Sequence, residues 1–308
     1  MKSMDVAVLG ADGAGRDVAR LCLLAGHDVA LHDEDVDAVM AGVDAVEGAL
    51  AEAVADGTLT EDDRAAAADC VEATTGLEAA AGGAGIVVEA TGGDRDARRE
   101  LFAAVEEVVG DDALIATTGT GSVTAVAAGL RRPGRAVGLQ FVDPPAVPLV
   151  EVAVADQTTD RTRDRGRSFA EGLDREVVVV RDAPGLAAGR LSLALSVEAM
   201  GLVDEGVAGV AAVDRALEAG HGHPIGPLAA ADEAGLDTRL EQLETLAASL
   251  GERFAPPPLL REKVADGELG RKTGTGFYVW EDGEPSEPAE PDPTAQLRDE
   301  RPPGPGEG

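Results

Sequence analysis

The chain has 308 residues, of which 58 are Asp or Glu and only 26 are Lys or Arg, giving a formal net charge of −32 and a pI near 4.3. Such a charge repels phosphodiester backbones and anionic lipid, so nucleic acid and membrane surfaces are excluded as partners. No run approaches the roughly 18 apolar residues of a membrane span, and Met1–Asp5 leads straight into the first expected strand, which points to the cytoplasm. The acid is spread along the whole chain, beside many alanines, few aromatics and only three lysines, Lys2, Lys263 and Lys272. That pattern fits a protein solvated in concentrated salt, as inside an extreme halophile. Cys22 and Cys70 lie in apolar or alanine-rich stretches with no ligand spacing, so both read as core residues, with no disulfide and no metal expected.

The segment from Val6 to Asp33 alternates as a strand, passes Gly10, Gly13 and Gly15, continues as an apolar helix through Val18, Leu21 and Leu24, and returns as a strand, Asp28–Leu31, before Asp33. This is the βαβ order of a dinucleotide-binding unit. Glycine lets the backbone turn tightly and approach a pyrophosphate, while a helix N-terminus offers N–H groups to the anion. Asp33 is positioned to grip ribose hydroxyls and to repel a 2′-phosphate, which selects NAD over NADP. The middle glycine of the fingerprint is replaced by Asp12, which adds bulk and charge; Gly13 takes over if the turn shifts by one residue. The alternative is a doubly wound domain whose loop no longer holds a ligand.

Helices are expected over about 34–55 and from Thr60, with Thr60 and Asp63 as a capping pair. No Lys or Arg occurs between Asp33 and Arg64, so that arm offers no side-chain cation to an anionic ligand. A continuous apolar strand runs from Gly85 to Ala90 and carries Glu89, a helix follows from Arg95 to Val109, and Ala113–Thr117 is a strand. The polar loop Thr117–Ser122 then sits at a strand's carboxyl end, where open α/β sheets place ligands. Strands over Ala136–Phe141, Leu149–Val154 and Glu176–Val180, with a helix over Thr159–Gly172, complete the sheet. From Pro184 the strand signal disappears and helical stretches follow, beginning with Leu186–Val203, which is apolar around much of its circumference. The fold class is α/β: a Rossmann-type doubly wound sheet over 1–182, an all-helical domain over 183–282, and an acidic, Pro-rich tail over 283–308 with too little apolar surface to order itself.

Several strings resemble the NAD-dependent 3-hydroxyacyl-CoA dehydrogenase family: GTLTEDDRAAA, GLQFVDPPAVPLVEV from Gly138, DAPGLAAGRL from Asp182, GHGHPIGPLAAADEAGLD from Gly220 and PPPLLREKVADGELGRKTGTGFY from Pro256. The likeness spans Val6 to about Trp280. It implies an NAD-binding domain, a helical domain that dimerises with a second copy, and an acyl-CoA thioester as substrate. It also implies a histidine base oriented by a glutamate, with a serine and an asparagine positioning the substrate oxygen. Carried over by residue, the glutamate is Glu151, the serine position is Thr120, the histidine position is Gln140 and the asparagine position is Gly189. Asp143 stands where the family has an asparagine before proline. A glutamine donates a hydrogen bond but has no basicity near neutral pH, so Glu151 acting through water, with Gln140 polarising the oxygen, is the expected proton route. His27 and His32 lie toward the adenine end and His221 and His223 before Pro224, so none replaces the base. The expected catalytic set is Glu151, Gln140, Thr120 and Gly189; the cofactor set is Gly10, Asp12, Gly13, Gly15, Asp33 and Glu89. Two functions follow: a hydride-transferring enzyme acting on an acyl-CoA thioester or a small 3-hydroxy acid, or a catalytically silent relative that binds NAD or acyl-CoA or pairs with an active paralogue.

Overall fold

A computed structural model describes residues 3–119, 121–142 and 147–290, and the chain divides into two compact units, one ending at Ala187 and the other beginning at Ala188. The first unit runs β1 (Asp5–Leu9), α1 (Gly13–Leu24), β2 (Asp28–His32), α2 (Val36–Ala55), α3 (Glu61–Ala68), β3 (Val71–Thr74), α4 (Leu77–Ala81), β4 (Ile86–Glu89), α5 (Arg95–Val108), β5 (Leu114–Thr117), α6 (Val123–Ala127), β6 (Ala136–Val142), β7 (Leu149–Val154), α7 (Asp160–Gly172) and β8 (Glu176–Arg181). Its eight strands form one sheet in the order β3-β2-β1-β4-β5-β6-β7-β8. All pairs are parallel except β6 with β7. The chain thus winds outward twice from β1, and the strand order reverses between β1 and β4, where such sheets open a crevice at their carboxyl ends.

The inner strands β1, β4 and β5 read as continuous apolar runs because helices cover both faces of the sheet. One core layer joins Val6, Val8 and Leu31 with Val18, Leu50 and Phe169; the opposite layer joins Leu9, Val87 and Ile115 with Phe102, Val105 and Val126. Cys22 is fully buried, and burial pushes its thiol up; Cys70 is only half-buried, so the expectation of two core cysteines holds for the first alone. β3 carries no sequence signal of its own. It forms because β2 offers a parallel ladder from Val29 to His32.

The second unit contains α8 (Ala188–Asp204), α9 (Val210–His221), α10 (Pro227–Ala234), α11 (Leu236–Leu250) and α12 (Pro258–Ala265) around Met200, Leu228, Leu243, Leu260 and Phe277. It is not all helical. β9 (Tyr278–Glu281) and β10 (Glu284–Pro288) pair antiparallel, which corrects both the expected loss of strands after Pro184 and the disordered tail from 283. The Glu- and Pro-rich strand needs no core of its own, because the ladder to β9 satisfies its backbone; residues 291–308 lie outside the described part of the chain.

Candidate active site

The nucleotide fingerprint is built much as its glycines require. Gly10 has φ +107°, and a Cβ there would lie 2.8 Å from the Ala90 carbonyl oxygen. A Cβ on Gly15 would lie 1.9 Å from the Gly10 carbonyl oxygen, so α1 packs on the turn only with glycine at that position. Gly13 has φ +24° and open space where its side chain would be, which leaves the first turn of α1 accessible. Asp12 is the N-cap of α1 and is exposed, yet its carboxylate makes no capping bond. A negative charge without a backbone partner therefore stands at the end of the helix that would receive a pyrophosphate.

Asp33, just beyond β2, is fixed from two sides: Ala11 N–H donates to one oxygen at 3.2 Å and Asp35 N–H to the other at 3.2 Å. The close packing of α2 on this loop depends on Gly42, where a Cβ would meet the Ala11 oxygen at 2.6 Å. The pieces for a dinucleotide are thus present: a tight turn, an open helix end and an oriented carboxylate. Only Asp12 opposes the fit.

Glu89, at the end of β4, is completely buried. One of its oxygens accepts from the Thr91 N–H at 2.8 Å and the Thr91 hydroxyl at 2.6 Å, and the other accepts from the Thr117 hydroxyl at 2.5 Å. Thr117 Oγ1 in turn accepts from Gly119 N–H at 3.0 Å. Glu89 therefore shapes the loops after β4 and β5. Thr120 and Asp143 lie outside the described residues.

Sequence reasoning missed Arg98. It stands on α5, only 9 % exposed, with Nε and Nη1 buried and without hydrogen-bond partners. A Cβ on Gly119 would lie 1.6 Å from its Nη1, and one on Gly121 would lie 2.9 Å from its Nη2. The alternating glycines of the loop after β5 make room for a guanidinium. The sequence signal was that Gly-x-Gly spacing, but it does not say which helix supplies the cation.

Gln140 on β6 and Glu151 on β7 are register partners in the antiparallel pair, so their side chains share a face of the sheet. Glu151 is 1 % exposed and accepts from Ala187 N–H at 2.9 Å. The Gln140 amide is half-buried and donates to the Phe141 carbonyl at 3.3 Å. Gly189 falls in the first turn of α8, in the second unit, with nothing within 4 Å of where a Cβ would sit. His27 is fully buried among apolar side chains, 6.0 Å from the Phe169 ring, and burial pushes its imidazole below the ordinary range.

Residues 5–183 match the model of the 3-hydroxyacyl-CoA dehydrogenase NAD binding domain, and residues 185–280 match that of the 3-hydroxyacyl-CoA dehydrogenase C-terminal domain. The chain belongs to the 3-hydroxyacyl-CoA dehydrogenase family. Within that family it is 34% identical over 283 residues to the 3-hydroxybutyryl-CoA dehydrogenase of Bradyrhizobium diazoefficiens, covering 91% of this chain and 96% of the relative. It is 34% identical over 285 residues to a probable 3-hydroxybutyryl-CoA dehydrogenase of Bacillus subtilis, covering 92% and 99%. The crystal structure of (S)-3-hydroxybutyryl-CoA dehydrogenase from Ralstonia eutropha superposes with a TM-score of 0.85 at 33% identity, covering 91% of this chain and all of that one. NAD is the cofactor of the family to which the first unit belongs. Among the described residues no helix is long and apolar enough to cross a membrane.

Proposed function

We propose that the protein transfers hydride between a 3-hydroxyacyl-CoA thioester, or a small 3-hydroxy acid, and NAD. The observation that carries this reading is the pairing of Gln140 with the buried Glu151 across β6 and β7, where the family's resemblance places an oriented acid–base pair. Bound NAD supplies the hydride acceptor. Gly10 and Gly15 fix the turn beneath the nucleotide, Asp33 takes the ribose hydroxyls, and Glu89 holds the two loops that flank the reacting groups. Arg98 offers its unpartnered N–H groups to negative charge at the carboxyl end of β5. Gln140 donates a hydrogen bond to the substrate oxygen and cannot take its proton. Glu151 supplies the negative charge that draws the proton away through water. Thr120 keeps a hydroxyl for the substrate, and Gly189 leaves the family's second polar clamp empty.

Gln140 also favours a second reading, a silent relative that binds nucleotide or acyl-CoA without turnover. The deciding experiment is the initial rate of NADH oxidation with acetoacetyl-CoA in molar KCl. A rate that depends on enzyme concentration supports the enzyme; saturable NADH binding with no rate supports the silent relative. Leu191 and Leu195, one turn apart on α8, are 67 % and 40 % exposed, and this apolar face supports a homodimer. Sedimentation of the wild type against Leu191→Glu tests it. A cytoplasmic, salt-adapted setting is proposed from the charge distribution alone.

A further inference from the structure

At the amino ends of β5 and β6, opposite to the carboxyl ends discussed above, the first unit holds an open cavity of about 420 Å³. Its wall includes Arg132 and Arg135 from the segment leading into β6, Arg161 and Arg165 from one face of α7, and the carboxylates of Asp111 and Asp112. In a chain with more than twice as many acids as bases, this lining inverts the ratio. The four guanidinium groups are not equally neutralised. Arg132 pairs with Asp111 at 2.8 Å and Arg161 with Asp112 at 3.1 Å, all four side chains being half or more exposed. Arg135 and Arg165 are instead held by backbone. Arg135 donates from Nε to Ala113 O at 3.2 Å and from Nη2 to Gly110 O at 2.5 Å, while Arg165 donates to Asp112 O and, at 3.3 Å, to Gly85 O.

Carbonyl oxygens orient these two arginines without cancelling their charge. Arg135 Nη1 is buried with no hydrogen-bond partner, its nearest carboxylate oxygen being that of Glu106 at 4.0 Å. Glu106 is already engaged by the Arg131 and Arg132 N–H groups. Burial pushes the Arg135 guanidinium below its ordinary range, and Arg132 and Arg165 add to that push against Glu106 and Asp111. Arg135 thus places a positive charge behind the cavity wall with no carboxylate oxygen closer than 4.0 Å.

We propose that this cavity binds a small multivalent anion of the phosphate class at a site separate from the nucleotide crevice. Arg135 and Arg165, held from different elements by backbone carbonyls, give the wall fixed positive charge, and the volume lies in the range of small-ligand sites. The exposed Arg132 and Arg161 close over the ligand by exchanging their present aspartate partners for it.

The test is calorimetric titration of the full chain with inorganic pyrophosphate in KCl held constant, with and without saturating NADH. One saturable site, undisturbed by NADH, is expected. Arg132→Gln and Arg161→Gln, both at exposed side chains, should each weaken it about tenfold. Asp112→Asn releases Arg161 and should tighten it, a change of sign that a purely structural cluster would not produce. No saturable binding, displacement of pyrophosphate by NADH, or an affinity indifferent to all three substitutions overturns the proposal.

Discussion

On the proposed reading, Gln140 decides the rate at which this site can work. Glu151 already occupies its register position across the ladder, so an imidazole at 140 would meet a carboxylate on the same sheet face. A positioned general base is worth about 10² to 10⁴ in rate. Gln140→His should therefore raise kcat for acetoacetyl-CoA reduction at least tenfold, and more when combined with Gly189→Asn, which restores the residue type that the family resemblance implies at that position. In the wild type, Glu151→Gln should lower kcat about tenfold or more, measured at saturating NADH. Arg98→Met tests the cation that the loop glycines accommodate and should raise the KM of either substrate or cofactor about tenfold, with the melting temperature as the control for folding. The contrast between these residues explains what was legible in the sequence. Gly10, Gly15 and Asp33 act through local spacing, so a motif finds them. Arg98 acts through the packing of α5 under a loop reached about 20 residues later, a distance no local pattern encodes.

The same contrast holds for elements. α5, with a strong apolar stripe and Asp94 as its cap, ends within a residue of its expected bound, and α3 begins at the expected cap, Thr60. The hairpin β9–β10 was invisible because its stability comes from buried carboxylates elsewhere. Asp232 accepts from the Phe277 and Tyr278 N–H groups at 2.9 Å each and from Trp280 Nε1 at 3.0 Å, while Asp214 accepts from Leu228 and Ala229 N–H and the Tyr278 hydroxyl. Gly226 and Gly276 are required beside them, since a Cβ on either would lie 2.1 and 2.2 Å from these side chains. Asp232→Asn turns an acceptor toward a donor and should cost about 2–3 kcal/mol, read from the fluorescence of Trp280, the chain's single tryptophan. Burial pushes both carboxyls above their ordinary range, against the hydrogen bonds they accept. In that case the native state holds protons that the unfolded state has released. Their contribution is full below the unfolded value of 3.8 and is lost as pH rises through the raised native value. Denaturant midpoints followed by Trp280 should show a smaller loss with rising pH through this window in Asp232→Asn than in the wild type.

At the scale of the whole molecule the excess of acid sets the conditions under which either unit is stable. Many of the ion pairs, such as Arg64 with Glu61 and Arg167 with Glu171, lie at the surface and contribute little each. With 58 acidic and 26 basic side chains, 32 acids are left over even if every base pairs with one of them. The Debye length falls from about 10 Å at 0.1 M salt to about 3 Å at 1 M, which removes repulsion between neighbours on the surface while leaving the buried contacts of Asp214 and Asp232 largely unscreened. The melting temperature should rise by about 10 °C or more between 0.1 M and 1 M KCl, corresponding to a few kcal/mol for a domain of this size. Sucrose at matched osmolality should not reproduce the rise, because it leaves the charges unscreened; an equal rise would place the effect in hydration instead. The same screening acts at one residue of the proposed cofactor site. Asp12 stands unpaired by any capping bond at the N-terminus of α1, where the pyrophosphate of NADH would lie, so added KCl should tighten NADH binding rather than weaken it. Asp12→Gly removes that charge and should bind NADH about tenfold more tightly at low salt, with the salt dependence flattened or reversed. A salt dependence identical in the wild type and in Asp12→Gly would place the effect in the stability of the fold and acquit the aspartate.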